Sequence, residues 1–262
     1  MLIVKEQKID QYIVNIAFAD NIYGFFCRNK AFVKELLLLI AGINKSYATC
    51  LYNDEKCYDN KDYFKTRLYL DFENEYFETL NIEKIRLAVT EKYHLNLNYE
   101  ELQRHIKTLN IRGECIITSR YAFTNVGNNL LNFAFALSTE ENLIINNPTW
   151  AIDSGVDLEY IYTELRKKQR MVIFGIDHLQ KMRFCLDKLI IFSDFNEVLI
   201  LDITEKLYVL ENTYNLPYQK VFIDKNNLHI IYRGLGKEEL KNCDRLRIKY
   251  KVISPYDLEE YI

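Results

Sequence analysis

Three stretches of this chain carry residue types that could do chemistry. The first is Cys27-Arg28-Asn29-Lys30-Ala31-Phe32-Val33-Lys34-Glu35, which follows the apolar run Asn21 to Phe26. It leads into a segment whose apolar residues Phe32, Leu36, Leu39 and Ile40 fall at helical spacing. A strand feeding a helix N-terminus is an anion-binding arrangement, because the first backbone N–H groups of the helix have no partner within it. Arg28, Lys30 and Lys34 would add positive charge there. The second stretch is Asn142 to Asp153, N-L-I-I-N-N-P-T-W-A-I-D, in which a short apolar run ends in two neutral amides, Asn146 and Asn147. An amide can donate and accept hydrogen bonds, but it carries no charge for a bound cation and cannot act as a carboxylate base. In the third, another apolar run, M-V-I-F-G-I, ends in Asp177 and His178.

The elements that must position these residues follow from periodicity. Residues 2–5 and 12–18 alternate apolar and polar side chains and predict strands of an antiparallel edge sheet, with Asn21 to Phe26 a more buried strand. The helix is predicted from about Ala31 to Ala41, with Gly42 as its stop. Strands are predicted at Ala48–Asn53 and Thr66–Leu70, and amphipathic helices start near Asn81 and Asn98. Leu158, Ile161, Tyr162 and Leu165 share one helix face. Lys188–Asp194, K-L-I-I-F-S-D, holds a further apolar run. Val221–Ile223, His229–Tyr232 and a helix near Lys237–Asn242 make a smaller α/β appendix.

Composition narrows the classes. A chain of 262 residues with 49% hydrophobic residues can bury a sizeable core, and a formal net charge of -3 gives no support for nucleic-acid binding. No apolar run approaches the roughly 18 residues of a membrane span, and the N-terminus does not read as a secretory signal. The six cysteines (27, 50, 57, 115, 185 and 243) show no C-x-x-C, and the four histidines are scattered. Unpaired thiols in a reducing cytosol, with no metal site, are the expectation.

The order and spacing of these stretches resemble the ATP-binding subunits of ABC transporters. Asn146-Asn147-Pro148-Thr149-Trp150-Ala151-Ile152-Asp153 resembles the family's D-E-P-T-x-A-L-D, with Pro148, Thr149, Ala151 and the D-loop Asp153 in place but both carboxylates replaced by amides. Gly24 to Gly42 resembles G-L-x-G-P-N-G-A-G-K-S-T-L-L-x-x-I-A-G, keeping Asn29 and the L-L-x-x-I-A-G end. Tyr121 to Leu137 is similar to the signature helix, with Thr124, Asn125, Val126, Gly127 and Asn128 over S-G-G-Q. The Q-loop glutamine falls on Phe72 and the switch histidine on Asp177, although a shift of one residue would bring His178 there instead. Lys188–Asp194 resembles the family's next strand, D-R-I-I-x-L-S-D, with Glu197–Leu201 its partner, and the ending S-P-Y-D-L-E-E-Y-I resembles that of ATPases in the ABC-2 exporter group.

The resemblance implies a P-loop NTPase-like α/β fold with an antiparallel edge sheet, over residues 1–203, with a helical subdomain at about 75–135 and a small extension at 204–262. It also implies a nucleotide site at Cys27, Arg28, Asn29, Lys30, Phe32, Val33, Lys34, Glu35 and Asn146, and catalytic positions at Asn147, Asp177 and Phe72. The P-loop glycine positions hold Cys27, Lys30 and Phe32, and the phosphate-lysine position holds Val33. The magnesium-ligand position holds Lys34, and a lysine repels a divalent cation. The expectation is a pseudo-ATPase without cofactor or metal, on the inner face of the cell membrane, beside a permease and an intact ATP-binding subunit or as a homodimer. Two alternatives stay open: a stand-alone regulatory protein keeping only the fold, and an ATPase of low residual activity that uses ATP and magnesium. Phe72, Tyr76 and Phe77 serve either the membrane partner or the core.

Overall fold

The computed structural model describes residues 1–9, 12–45, 49–71, 96–111, 125–146, 158–183, 185–192, 198–211, 220–224, 226 and 228–262. The helix expected near Asn81, together with Phe72, Tyr76, Phe77, Cys115, Thr124, Asn147, Pro148, Thr149, Ala151, Asp153 and Asp194, lies outside them.

The strands are β1 (Leu2–Ile9), β2 (Tyr12–Phe18), β3 (Ile22–Cys27), β4 (Thr49–Tyr52), β5 (Glu55–Lys56), β6 (Arg67–Asp71) and β7 (Asn142–Asn146). Next come β8 (Val172–Ile176), β9 (Lys188–Phe192), β10 (Val198–Asp202), β11 (Leu207–Glu211), β12 (Lys220–Ile223), β13 (His229–Arg233) and β14 (Tyr250–Ile253). The helices are α1 (Lys30–Ile40), α2 (Lys61–Phe64), α3 (Tyr99–Thr108), α4 (Asn125–Leu137), α5 (Leu158–Lys167) and α6 (Lys237–Arg245).

A six-stranded sheet runs in the order β10-β9-β3-β8-β7-β6. All of its pairs are parallel except β10 with β9. Strands β3 and β8 are buried along their whole length, as expected for a parallel sheet covered on both faces. Alternate side chains divide between two cores. Phe25, Ile144, Ile173, Ile190 and Phe192 face α1 and an antiparallel sheet of order β2-β1-β4-β5. Phe26, Leu143, Ile145, Val172, Leu189 and Ile191 face α3, α4 and α5. A third sheet, β12-β13-β11-β14, puts Leu207, Val209, Ile231 and Ile253 into this second core, so the C-terminal extension shares the main hydrophobic interior.

The predicted helix stop holds. Gly42 sits at φ +69°, where a Cβ would lie 2.3 Å from the carbonyl oxygen of Cys57. The helix begins at Lys30, one residue before the predicted start, because Asn29 is its N-cap. Asn98 likewise caps α3, accepting from the amides of Glu100 and Glu101. The elements α2, β5, β11 and β14 are not expected from the sequence: β5 is two exposed residues of a hairpin with β4, and β11 and β14 pair with each other across a long separation in sequence. Two cysteines with no C-x-x-C spacing also meet: Cys50 Sγ and Cys57 Sγ are 3.4 Å apart and buried.

Two buried polar residues hold the helical face. The Arg170 guanidinium donates to the carbonyls of Ala136 (2.6 Å), Thr139 (2.6 Å) and Glu141 (2.7 Å), tying the end of α4 to the start of β7. Burial lowers its pKa to about 10, so it stays charged at neutral pH. On α3, His105 is fully buried with Nδ1 2.7 Å from the Tyr160 hydroxyl. Burial, helped by the Arg104 charge, lowers its pKa to about 4.

Arg170→Met would remove the guanidinium from all three carbonyls, of which Ala136 keeps the Thr139 hydroxyl as a donor, and is expected to cost about 3 kcal/mol, read from urea unfolding. His105 is held below its ordinary value, so its contribution is complete above about pH 6.5 and is lost as pH falls toward about 4. The melting temperature is therefore expected to fall through that window, and His105→Gln to flatten the fall.

Candidate functional site

Five strand ends meet along the carboxyl edge of the parallel sheet, where α/β proteins bind ligands. They are Cys27 of β3, Asp71 of β6, Asn146 of β7, Ile176 of β8 and Phe192 of β9. Parallel register puts Asp71 beside Asn146 and Asn146 beside Gly175. The α1 helix packs across this edge, so Val33 and Lys34, one residue apart on the helix, reach different parts of it.

The β3–α1 connection is two residues, Arg28 and Asn29, both exposed. The Asn29 side chain accepts from the Phe32 amide at 3.3 Å, and the Val33 amide bonds to the Asn29 carbonyl. Lys30, Ala31 and Phe32 are thus wound into the first turn of a helix instead of an open loop. Phe32 turns inward. Its ring lies 4.6 Å from that of Tyr12 and 4.8 Å from that of Phe192, and Phe192 also meets Phe25 at 5.9 Å. The Tyr12 hydroxyl is 3.8 Å from the Cys27 sulfur. Four aromatic rings from two strands of the main sheet, one edge strand and α1 fill the space beside the helix N-terminus.

Val33 is buried against β8, where a Cβ on Gly175 would lie 3.0 Å from Val33 Cγ1, 3.0 Å from Asn146 Oδ1 and 2.7 Å from Leu37 Cδ1. Gly175 therefore lets the helix approach this closely. Lys34 Nζ lies 3.0 Å from Asp71 Oδ2, and Asn146 Nδ2 donates to Asp71 Oδ1 at 3.0 Å. The Asp71 side chain is 2% exposed and Lys34 is 33% exposed, so the lysine bridges solvent and a buried carboxylate. Asn146 itself is 5% exposed.

Asp177 contacts the helix: Lys30 Nζ is 2.8 Å from Asp177 Oδ2. His178 turns to the C-terminal segment, its Nδ1 3.0 Å from Glu259 Oε1, while the Leu179 amide donates to Glu259 Oε2 at 2.8 Å. Asp177, not His178, thus meets the α1 N-terminus. Glu35 is exposed. Asn125, Val126, Gly127 and Asn128 form the first turn of α4.

The cations Arg28, Lys30 and Lys34 and the anions Glu35, Asp71 and Asp177 balance within this site. The residue that the sequence reading missed is Asp71. It is a lone carboxylate closing the apolar-rich run L-Y-L-D, and a charge at the end of a strand is the signal that could have found it. Among the described residues, no group of three or more His, Cys, Asp or Glu side chains is arranged to hold a metal ion.

No protein-family model matches this chain, and no curated protein is significantly similar to it in sequence. Solved structures are similar in fold. An ATP-binding subunit of an ABC transporter superposes with a TM-score of 0.60 at 15% identity, over 78% of this chain and 90% of that one. The dimeric bacterial ABC transporter cassette MJ0796 gives 0.56 at 16% identity, over 77% and 98%. The cbiO1 protein from Clostridium perfringens, part of the ABC transporter complex cbiONQ, gives 0.55 at 14% identity, over 77% and 88%. The chain has the P-loop α/β fold of ABC ATP-binding subunits. At these identities, fold is what the likeness shows.

The geometry gives a thermodynamic test of the Lys34–Asp71 pair. Lys34→Met alone removes the paired charge from a buried carboxylate that keeps its Asn146 hydrogen bond, and is expected to cost about 2 kcal/mol, discounted for the partial exposure of the lysine. The double variant Lys34→Met/Asp71→Leu is expected to recover about half of that in urea unfolding.

Proposed function

We propose that this chain is a catalytically degenerate ABC ATP-binding subunit, a pseudo-ATPase that serves as the structural or regulatory partner of a membrane permease. It works on the inner face of the membrane, beside an intact ATP-binding subunit. The observation that carries this reading is the Lys34–Asp71–Asn146 cluster. At the position where the resemblance puts the hydroxyl ligand of magnesium, the chain carries an ammonium group already committed to a buried carboxylate.

Three further features support the reading. A divalent cation beside Asp71 would have to displace Lys34 and bear its repulsion at close range. The phosphate-lysine position is the buried, uncharged Val33, and a P-loop glycine position holds Phe32, whose ring is packed inward against Tyr12 and Phe192. The Asn146 amide donates to Asp71, and its oxygen lies beside Gly175. Phosphoryl transfer depends on charge placed around the transferring group, and here that charge is cancelled within the protein. The residues present do not fit a magnesium–nucleotide complex, so no catalytic step is assigned to them.

A subunit role fits the similar structures, among them a dimeric cassette and a component of a larger transporter complex. Among the described residues no helix is long and apolar enough to cross a membrane.

Calorimetric titration of the full chain with ATP and magnesium tests the proposal. The expected result is no binding tighter than about 100 μM and no magnesium-dependent phosphate release. Tighter binding that is weakened by Arg28→Ala or Lys30→Ala, or measurable turnover, would overturn it.

A further inference from the structure

Cys50 and Cys57 lie on the edge-sheet hairpin, away from the site described above. Strands β4 and β5 pair Leu51 with Lys56 and Tyr52 with Glu55, so the same antiparallel register continues to Cys50 opposite Cys57. The Cys57 amide closes that step by donating to the Cys50 carbonyl at 2.9 Å. Directly opposed residues have Cα atoms about 4.5–5.5 Å apart, within the range that a disulfide spans. The side chains are on the same face, with the sulfurs 3.4 Å apart. Both thiols are buried, Cys57 completely. Bringing the sulfurs to bonding distance therefore needs a small side-chain adjustment and no change of register.

The surroundings hold the hairpin in place. The Cys57 carbonyl abuts Gly42 at the end of α1. The Tyr63 hydroxyl donates to the Ile40 carbonyl at 2.6 Å, and its ring packs on Tyr52 at 5.0 Å. The hairpin is thereby tied to the C-terminal end of the helix whose N-terminus forms the candidate site.

We infer that Cys50 and Cys57 are a modification site, a dithiol that a small-molecule disulfide such as oxidised glutathione converts to an intramolecular disulfide clamping the β4–β5 hairpin. One thiolate attacks a sulfur of the glutathione disulfide and releases one reduced glutathione. The second cysteine, having lost its proton to solvent, attacks the resulting mixed disulfide and releases another. Two protein thiols are oxidised and one glutathione disulfide is reduced to two thiols, so electrons balance. The hydrogen bond with Cys57, together with burial, raises the Cys50 pKa above the ordinary thiol value, and reaction follows opening of this edge hairpin. The couple therefore responds slowly to a sustained oxidising change.

The test uses the full chain, incubated folded with oxidised glutathione, then alkylated in denaturant and digested with trypsin. Cleavage after Lys45, Lys56 and Lys61 separates the two cysteines onto peptides 46–56 and 57–61, so the disulfide appears as a linked peptide pair. The expected result is that this pair is the main product, with four of the six cysteines still alkylated. The melting temperature should rise by several degrees and return with dithiothreitol. Cys50→Ala and Cys57→Ala should each abolish both the link and the shift. The inference is overturned if the folded chain keeps six alkylatable thiols, stops at a glutathione mixed disulfide, or links these peptides only when denatured.

Discussion

A buried carboxylate must be neutralised, and much of the candidate site follows from that requirement at Asp71. An unpaired carboxylate 2% exposed would be costly to ionise. One of its oxygens is met by the Asn146 amide through the register of β6 on β7, and the other by the Lys34 ammonium, which reaches across from α1. The helix must lie close to the sheet for this contact to form. Gly175 permits that approach, because any larger residue there would press on Val33, Leu37 and Asn146.

The same close approach brings Phe32 inward. An apolar ring near the end of a parallel sheet needs apolar neighbours, and Tyr12 and Phe192 supply them from the edge sheet and the main sheet, with Phe25 against Phe192. Charge pairing and aromatic packing thus act together: one neutralises Asp71, the other fills the volume beside the helix.

The C-terminal segment is coupled to the same region by ordinary means. Glu259 accepts from the Leu179 amide and pairs with His178, while Gln180 donates to Asp257. Tyr256 and Leu258 belong to the main core. The residues after β8 are therefore held from two sides, Asp177 by the α1 N-terminus and His178 by the chain terminus, and this division fixes which of the two faces the candidate site.

Local order was legible in the sequence. Alternation marked β2 and the first half of β1, apolar runs marked β3, β7, β8 and β9, and helical spacing with Asn98 and Gly42 marked limits of helices, because each of these signals is set by neighbours within a few residues. The types of residue at the site were legible as well: Val33 and Asn146 are uncharged and Lys34 is positive. Which groups meet was not. Asp71 with Lys34, Phe32 with Tyr12 and Phe192, Cys50 with Cys57, and Arg170 with the end of α4 are brought together by strand order, register and helix packing. A linear chain does not encode those contacts in any local spacing, since each depends on two backbones arriving at one place, and only the folded arrangement decides whether a charge is paired or a cavity is filled.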